Sequence, residues 1–339
     1  MFCGMFLCVT AQRGCRYIRK RNVMKIGKKF CLVIVVPCYN ETAVLDETAR
    51  RLLTLLEDMR EAVSEDSRIL FVDDGSRDAT WEMIERLRAE DNRIAGISLA
   101  ANSGHQNALI AGLTTAVRFS DFMVTIDADL QDDETIIKDM MQRAKEGNDI
   151  VYGVRSSRTS DTWFKRTTAQ TFYRLMSFMG VKTVYNHADF RLMSRRAVEA
   201  LLRYDERNLF LRGIVPLLGY QTTQVQYARK ERKAGETKYP LRKMVTFAFD
   251  GITSFSMGLL HLVMWVGVIF LLMALGIAIW VVVCIIQQRT VSGWASLMLS
   301  VWFCSGCILL GLGIVGEHIG KIYIEVKHRP RYNIKDEKL

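Results

Sequence analysis

The stretch TIDADLQDD, residues 125–133, follows the apolar run FMV and has polar side chains at every second position from Asp127. Side chains alternate in an extended segment, so Asp127, Asp129 and Gln131 are predicted to point to the same side of the chain. Two carboxylates and an amide in this arrangement favour a hard cation, typically Mg²⁺ or Mn²⁺, with water and substrate oxygens as further ligands. The same letters also occur in solvated turns. The next acid, Asp133, is expected to cap the following helix.

Two other polar motifs are candidates for contacts with a nucleotide. In FVDDGSRDAT, Asp73 or Asp74 could accept hydrogen bonds from the edge of a nucleobase, and the alternative is a plain Asp-Gly turn. In SGHQNALIAGL, Gly104 and His105 begin a predicted helix, where backbone N–H groups can face anionic oxygens. The alternative there is a helix start without a ligand.

These motifs lie between short apolar runs and longer segments with apolar residues at helical spacing. The runs predicted to be strands are residues 31–37, 68–74, 94–100, 122–129 and 149–155. Strictly alternating strands and helices predict an α/β fold with a doubly wound, mainly parallel sheet. The first, second and fourth strands end in PCYNE, DDGS and DAD. Ligands of such sheets bind beyond the carboxyl ends of the strands, so these motifs are expected to form one site.

Two later segments, residues 259–286 and 294–316, contain no Asp, Glu, Lys or Arg. Each exceeds the roughly 20 residues that cross a bilayer, so they predict a two-helix transmembrane hairpin. The flanking segments RKERKAGETKYPLRK and HIGKIYIEVKHRPR are basic, whereas Arg289 is the one basic residue in the connector between the spans. The positive-inside rule therefore places the region before the first span, and both termini, on the cytoplasmic side of an inner membrane.

The charge balance bears on the class of partner. A formal net charge of +10, concentrated near the apolar spans, suits an anionic lipid bilayer better than nucleic acid, although a generally basic surface is the alternative. The eight cysteines lie in the spans or are scattered through a region expected in the reducing cytoplasm. No disulfide framework is therefore predicted.

Six segments, in this order, carry a family resemblance: VVPCYNE, FVDDGSRDAT, NSGHQNALIAGL, DADLQDD, YGVRSSR and ADFRLMSRRAV. The set resembles the GT-A-fold family 2 glycosyltransferases. With KERKAGETKY and the C-terminal hairpin, the chain is most similar to the branch that makes polyprenyl-phosphate sugars, that of the bactoprenol glucosyltransferases and dolichyl-phosphate mannose synthases. The resemblance runs from about residue 31 to about residue 325.

The resemblance implies a site for a nucleotide-sugar donor. The residues expected to line it are Pro37, Tyr39, Glu41, Asp73, Asp74, Gly104 and Asp127. Asp127, Asp129 and Gln131 are then expected to hold Mg²⁺ or Mn²⁺ on the diphosphate of the donor, where the cation neutralises charge on the leaving group.

The resemblance also implies a grip on the phosphate of a polyprenyl phosphate acceptor. The residues expected there are Arg155, Lys165, Arg166, Arg212, Lys238 and Tyr239. Thr237 stands where the family usually has Ser, and the hydroxyl is retained. Asp189 is either a catalytic base or an orienting group paired with Arg191 or Arg212. The second role is preferred, because a phosphate monoester with a second pKa near about 6 needs no base at neutral pH.

The predicted organisation has five parts: a basic N-terminal extension (1–29), a GT-A catalytic domain (30–228), a basic juxtamembrane segment (229–250), two transmembrane helices (251–316) and a basic cytoplasmic tail (317–339). The spacing Gly316-x-x-x-Gly320 permits close helix contact, as in a homo-oligomer.

The resemblance implies an inverting transferase that moves a sugar, best matched by glucose from UDP-glucose, to undecaprenyl phosphate for modification of cell-envelope polysaccharide. One alternative is a processive polysaccharide synthase, which usually carries Q-x-x-R-W and more spans. The other is a non-catalytic, membrane-anchored protein that binds nucleotide sugars. In such a protein the aspartates of the D-x-D would be expected to have been replaced. This chain has no Q-x-x-R-W and keeps its D-x-D.

Overall fold

The computed structural model describes residues 29–155, 187–207, 210–228, 258–287 and 293–339. One sheet holds its eight strands: β1 (Leu32–Cys38), β2 (Arg68–Asp73), β3 (Ile94–Leu99), β4 (Phe122–Thr125), β5 (Ile150–Arg155), β6 (His187–Ser194), β7 (Thr222–Tyr227) and β8 (Ile334–Lys338). The helices are α1 (Thr42–Asp58), α2 (Thr80–Glu90), α3 (His105–Ala116), α4 (Ile137–Lys145), α5 (Arg195–Leu201), α6 (Leu211–Leu217), α7 (Gly258–Ile286) and α8 (Trp294–Val326). A short 3₁₀ helix, Glu134–Ile136, precedes α4.

The strand order across the sheet is β7-β5-β6-β4-β1-β2-β3-β8. Strands β1 to β4 are parallel to their neighbours within that group, and β5 is parallel to β7. Strand β6 enters between β4 and β5 and is antiparallel to both, and β8 is antiparallel to β3. The expected α/β fold is confirmed, and the sheet is mixed, because β6 and β8 run against the other six strands.

The apolar run of β1 is explained by burial on both faces of the sheet. Leu32, Ile34 and Val36 belong to one core cluster, which includes side chains of α1, α2 and α4. Val33 and Val35 belong to the other, which includes side chains of α3, α5 and α6. A strand covered on both faces needs apolar side chains at every position, which is why no alternation is seen in its sequence.

The fourth strand is shorter than the sequence predicts. It ends at Thr125, and the chain turns at residues 128–130, where Leu130 has a φ of +58°. The prediction of an extended segment through Asp129 was therefore wrong. Burial still alternates, because Ile126, Ala128 and Leu130 are buried. The polar side chains between them are half-buried.

The C-terminal region contains two long helices, α7 and α8. Within the part of the chain that the structure describes, one segment, Phe303–Val326, is long and apolar enough to cross a membrane. The predicted hairpin of two spans is not shown by these helices and stays a prediction. Part of the segment predicted to be a basic tail belongs to regular elements, because α8 continues to Val326 and β8 then joins the edge of the sheet beside β3.

Several predictions concern residues outside the described ranges. They are the N-terminal extension up to residue 28, the juxtamembrane segment 229–250, and the acceptor residues Lys165, Arg166, Lys238 and Tyr239.

Candidate active site

Asp189 lies on β6 and is bound by two guanidinium groups. Arg191 donates from Nη2 to Oδ1, and Arg212 donates from Nη2 to Oδ2 at 3.1 Å. Arg191 is 1% exposed, whereas the side chain of Arg212, in the first turn of α6, is 35% exposed. Both of the partners that the sequence suggested therefore contact Asp189, one from within the protein and one from the side that faces solvent.

The start of α6 is fixed from two directions, which determines where Arg212 lies. Gln106 Oε1, in the first turn of α3, accepts a hydrogen bond from Leu211 N at 2.9 Å. Arg191 Nη1 donates to Leu211 O at 3.4 Å. Because Leu211 precedes Arg212 in the chain, these contacts position the arginine that faces the site.

His105 joins the two acidic parts of the site. Gly104, with a φ of +90°, precedes α3, and His105 is the first helical residue. The Nε2 atom of His105 lies 3.5 Å from Asp127 Oδ1 and 3.8 Å from Asp189 Oδ2. The structure therefore brings the D-x-D motif and Asp189 together, because β6 is antiparallel to β4 and its beginning lies at the carboxyl end of β4.

The electrostatics of Asp189 favour an orienting role over that of a base. Burial works to raise the pKa of this carboxyl, but Arg212 and Arg191 outweigh it and hold the pKa of Asp189 well below its usual range. A group that stays ionised throughout the physiological range is a weak proton acceptor.

The D-x-D residues fit a divalent cation whose shell is completed by substrate. Burial raises the pKa of the Asp127 carboxyl above its ordinary value, and His105 opposes this rise. Three nearby carboxylates raise it further, those of Asp132, Asp189 and Asp129. Such an excess of negative charge, with oxygen donors, is stabilised by a hard cation. No group of three or more His, Cys, Asp or Glu side chains suited to a metal is found among the described residues, so water and substrate would supply further ligands.

The residues expected to line the nucleotide pocket follow β1 and β2. Pro37 is buried within β1, Tyr39 is 36% exposed just beyond it, and Glu41 directly precedes α1. This end of β1 lies beside the end of β2, because Pro37 pairs with Val72 in the sheet.

Asp73 and Asp74 are both buried and shape the loops around them. Asp73 accepts hydrogen bonds from Ser76 N at 3.0 Å and from Ser98 Oγ at 2.9 Å. Asp74 accepts from Ser103 N at 2.7 Å and from Gly104 N at 3.0 Å, which fixes the start of α3. Their contact with a nucleobase stays a prediction.

Arg155, an expected acceptor ligand, is held by two buried side chains. Its Nη2 donates to Asp132 Oδ1 at 3.2 Å, and its Nε donates to Tyr227 Oη at 3.2 Å. Tyr227 also donates to Asp132 Oδ1.

Sequence reasoning missed Asp132, Tyr227 and Gln106. Asp132 is part of the same acidic run as Asp133, which does accept a hydrogen bond from Thr135 N as a cap. Tyr227 is far from Asp132 in the sequence, and the two meet only because β6 places β5 and β7 beyond β4 in the sheet. Gln106 has no local signal beyond its position at a helix start.

The acidic side chains lie at the carboxyl ends of the parallel strands, which is the edge where sheets of this kind bind their ligands. The chain matches glycosyl transferase family 2 over residues 33–202. It belongs to that family and is a glycosyltransferase.

Its relatives extend the match beyond that domain. The chain is 52% identical over 305 residues to the uncharacterized glycosyltransferase YkoT of Bacillus subtilis (strain 168), covering 89% of this chain and 90% of the relative. It is 38% identical over 307 residues to a bactoprenol glucosyl transferase of Shigella phage SfV, covering 90% and 98%.

A solved structure of glucosyl-3-phosphoglycerate synthase from Mycobacterium tuberculosis, in complex with Mn²⁺, uridine diphosphate and glucosyl-3-phosphoglycerate, is 15% identical, with a TM-score of 0.41. The match covers 66% of this chain and 78% of that one.

Proposed function

We propose that this glycosyltransferase moves glucose from UDP-glucose to undecaprenyl phosphate at the cytoplasmic face of the inner membrane, for modification of cell-envelope polysaccharide. The observation that carries the proposal is the contact of His105 with both Asp127 and Asp189, which joins a metal-binding motif to an arginine-lined acid. The 38% identity to a bactoprenol glucosyl transferase over 90% of the chain supports the acceptor and the sugar.

The reaction needs orientation more than proton transfer. The acceptor phosphate is largely dianionic at neutral pH, since its second pKa is about 6. One of its oxygens attacks the anomeric carbon in line while the bond to the nucleoside diphosphate breaks, so the configuration of the sugar inverts.

The described side chains divide between acceptor and donor. The outward side chain of Arg212 is suited to a phosphate oxygen, while Arg191 keeps Asp189 in place behind it. Asp127, Asp129 and Gln131 would hold Mg²⁺ or Mn²⁺, which when bound offsets the charge on the departing diphosphate.

Membrane attachment completes the proposal. The segment Phe303–Val326 has the length and composition of a membrane span, and α7 is a second long apolar helix. We propose that both cross the bilayer, with the catalytic domain, the basic segment 229–250 and both termini in the cytoplasm, and that Gly316 and Gly320 permit close contact in a homo-oligomer.

The test is transfer of radiolabel in a detergent-reconstituted assay. Undecaprenyl phosphate is incubated with labelled UDP-glucose, GDP-mannose or UDP-N-acetylglucosamine, with Mg²⁺, Mn²⁺ or EDTA, using the wild type and Asp129→Ala. We expect label in the lipid phase from UDP-glucose only, with a metal only, and far more with the wild type.

Each other outcome has a definite meaning. Transfer from a different donor would refute the sugar and retain the reaction. A polymeric product would favour a processive synthase. Nucleotide-sugar binding without any lipid product would contradict the proposed acceptor, and if no nucleoside diphosphate were released either, it would favour a non-catalytic protein.

A further inference from the structure

Asp132 is the buried acid of the D-x-D loop, defined here as residues 126–134. Its side chain is 2% exposed, whereas Asp127, Asp129 and Asp133 are half-buried. A buried carboxylate must be paired and hydrogen-bonded, because an uncompensated charge there is strongly destabilising. Asp132 obtains both from Arg155 and Tyr227, which also contact one another and close a triangle of polar groups.

The phenol is suited to be a donor in this triangle. Burial, together with the Asp132 carboxylate, raises the pKa of Tyr227 well above its ordinary value. The hydroxyl therefore keeps its proton and can donate to Asp132 while it accepts from Arg155.

The two partners of Asp132 are fixed by the sheet. Arg155 and Tyr227 are the last residues of β5 and β7, and they pair with one another in the register of these parallel strands. The ring of Tyr227 also packs edge-on against Phe190, with centroids 5.6 Å apart. A rigid pair of strand ends therefore contacts the D-x-D loop through one carboxylate.

The opposite side of the loop is held by α1. Thr48 Oγ1 donates to Ala128 O at 2.9 Å, and Arg51 Nη1 lies 3.3 Å from Glu134 Oε1. Between the two attachments Leu130 adopts a φ of +58°, which a leucine rarely occupies without support from its surroundings.

We propose that Asp132 and Tyr227 are positioning residues that, with Arg155, brace the D-x-D loop for metal and donor binding. Arg155 then serves this brace instead of gripping the acceptor phosphate. The close pairing supports this role, because Arg155 donates from Nε to Tyr227 and from Nη2 to Asp132, and its side chain is 22% exposed against 35% for Arg212. This inference rests on the proposed donor and metal site.

The test uses Tyr227→Phe, which removes the hydroxyl and keeps the ring against Phe190. Binding of UDP with Mn²⁺ to the full-length protein in detergent is measured by calorimetry, and the KM for undecaprenyl phosphate is measured with saturating donor. We expect UDP–Mn²⁺ binding to weaken roughly tenfold or more, as when groups behind metal ligands are removed, with the acceptor KM unchanged. Arg155→Lys, which keeps the charge and loses the paired geometry, is expected to give the same pattern.

The matched control is Tyr220→Phe. Tyr220 lies just before β7, and the centroid of its ring is 5.5 Å from the guanidinium carbon of Arg196. This variant is expected to change neither the binding of UDP with Mn²⁺ nor the KM for undecaprenyl phosphate. Thermal unfolding of all variants shows whether any effect reflects loss of the fold, and Arg155→Lys decides the question if Tyr227→Phe does not fold.

Two results would overturn the inference. If Arg155→Lys raises the acceptor KM and leaves UDP–Mn²⁺ binding unchanged, Arg155 is an acceptor ligand. If neither Tyr227→Phe nor Arg155→Lys changes either quantity, these residues do not position the D-x-D loop. Binding of Mn²⁺ without nucleotide, followed by electron paramagnetic resonance, separates this test from the proposed function. Suppose that the wild type neither binds UDP nor transfers glucose. Mn²⁺ binding that is weaker in Tyr227→Phe, but not in Tyr220→Phe, still supports the brace. Equal Mn²⁺ binding in the two variants refutes it.

Discussion

Arg212 Nη2 lies 3.1 Å from Asp189 Oδ2, and its side chain is 35% exposed, whereas the side chain of the second arginine on Asp189, Arg191, is 2% exposed. The two arginines therefore have different surroundings around one carboxylate. The buried one holds Asp189 from within the protein, and the other binds the same carboxylate from a partly exposed position.

Arg212→Ala is expected to raise the KM for undecaprenyl phosphate by about tenfold to a hundredfold, the range for loss of a charged hydrogen bond. Its melting temperature should change little, because the side chain is partly solvated. Arg191→Ala should instead lower the melting temperature markedly, since it leaves a buried face of Asp189 unpaired. Acceptor kinetics and differential scanning fluorimetry on both variants check this contrast. Equal effects of the two variants on the acceptor KM would contradict it.

Asp189→Asn is expected to retain appreciable turnover with a pH–rate profile of unchanged shape. The pKa of Asp189 lies well below its usual range, so the group does not titrate between about pH 5 and 9. The measurement is kcat/KM against pH for the wild type and the variant. Loss of a limb of the profile in the variant would show that Asp189 acts as a base after all.

The same substitution makes a prediction about stability. A carboxyl whose pKa is lowered on folding stabilises the protein above its unfolded pKa of about 4, and this contribution is lost as the pH falls through the folded value. Asp189→Asn should therefore lower the free energy of unfolding by about 3 kcal/mol at pH 7. The difference from the wild type should be constant from about pH 8 to 5 and shrink below about pH 4. Melting temperatures across this range test the trend, and a difference that grows on acidification would refute it.

Activation by Mn²⁺ is expected to weaken as the pH falls. Burial raises the pKa of Asp127, with smaller contributions from neighbouring carboxylates, and only its ionised form binds a cation. The concentration of Mn²⁺ that gives half-maximal transfer should thus be higher at pH 6 than at pH 8. If Asp127 binds no metal, the two concentrations should be the same in enzyme whose stability is unchanged over this range.

The sequence predicted the first half of the fold well, because its signals there are local. The strands that became β1, β2 and β3 were placed within one residue at each end. The prediction for β4 was too long at its carboxyl end. The turn after Thr125 places Leu130 in a left-handed conformation, which a leucine in the sequence does not predict.

Features that depend on distant pairing were missed. Nothing near His187–Ser194 indicates that this strand enters between β4 and β5, or that the residues after Val326 return to β3. The separate acidic and basic motifs of the site were recognisable in the sequence. Their contacts through His105 and Tyr227 arise from the strand order and could not be predicted without it.

Strand β8 limits how far the sheet can move from the end of α8. Only residues 327–333 join Val326 to Ile334, and a chain of that length spans roughly 27 Å when fully extended. Glu325 adds a second attachment near the end of α8, because its carboxylate accepts hydrogen bonds from Arg207 N at 2.7 and 2.9 Å. If α8 crosses the bilayer, the catalytic edge is tethered close to the lipid headgroups. Encounter with a lipid-borne acceptor is then a search in two dimensions, governed by lateral diffusion instead of by the concentration of acceptor in solution.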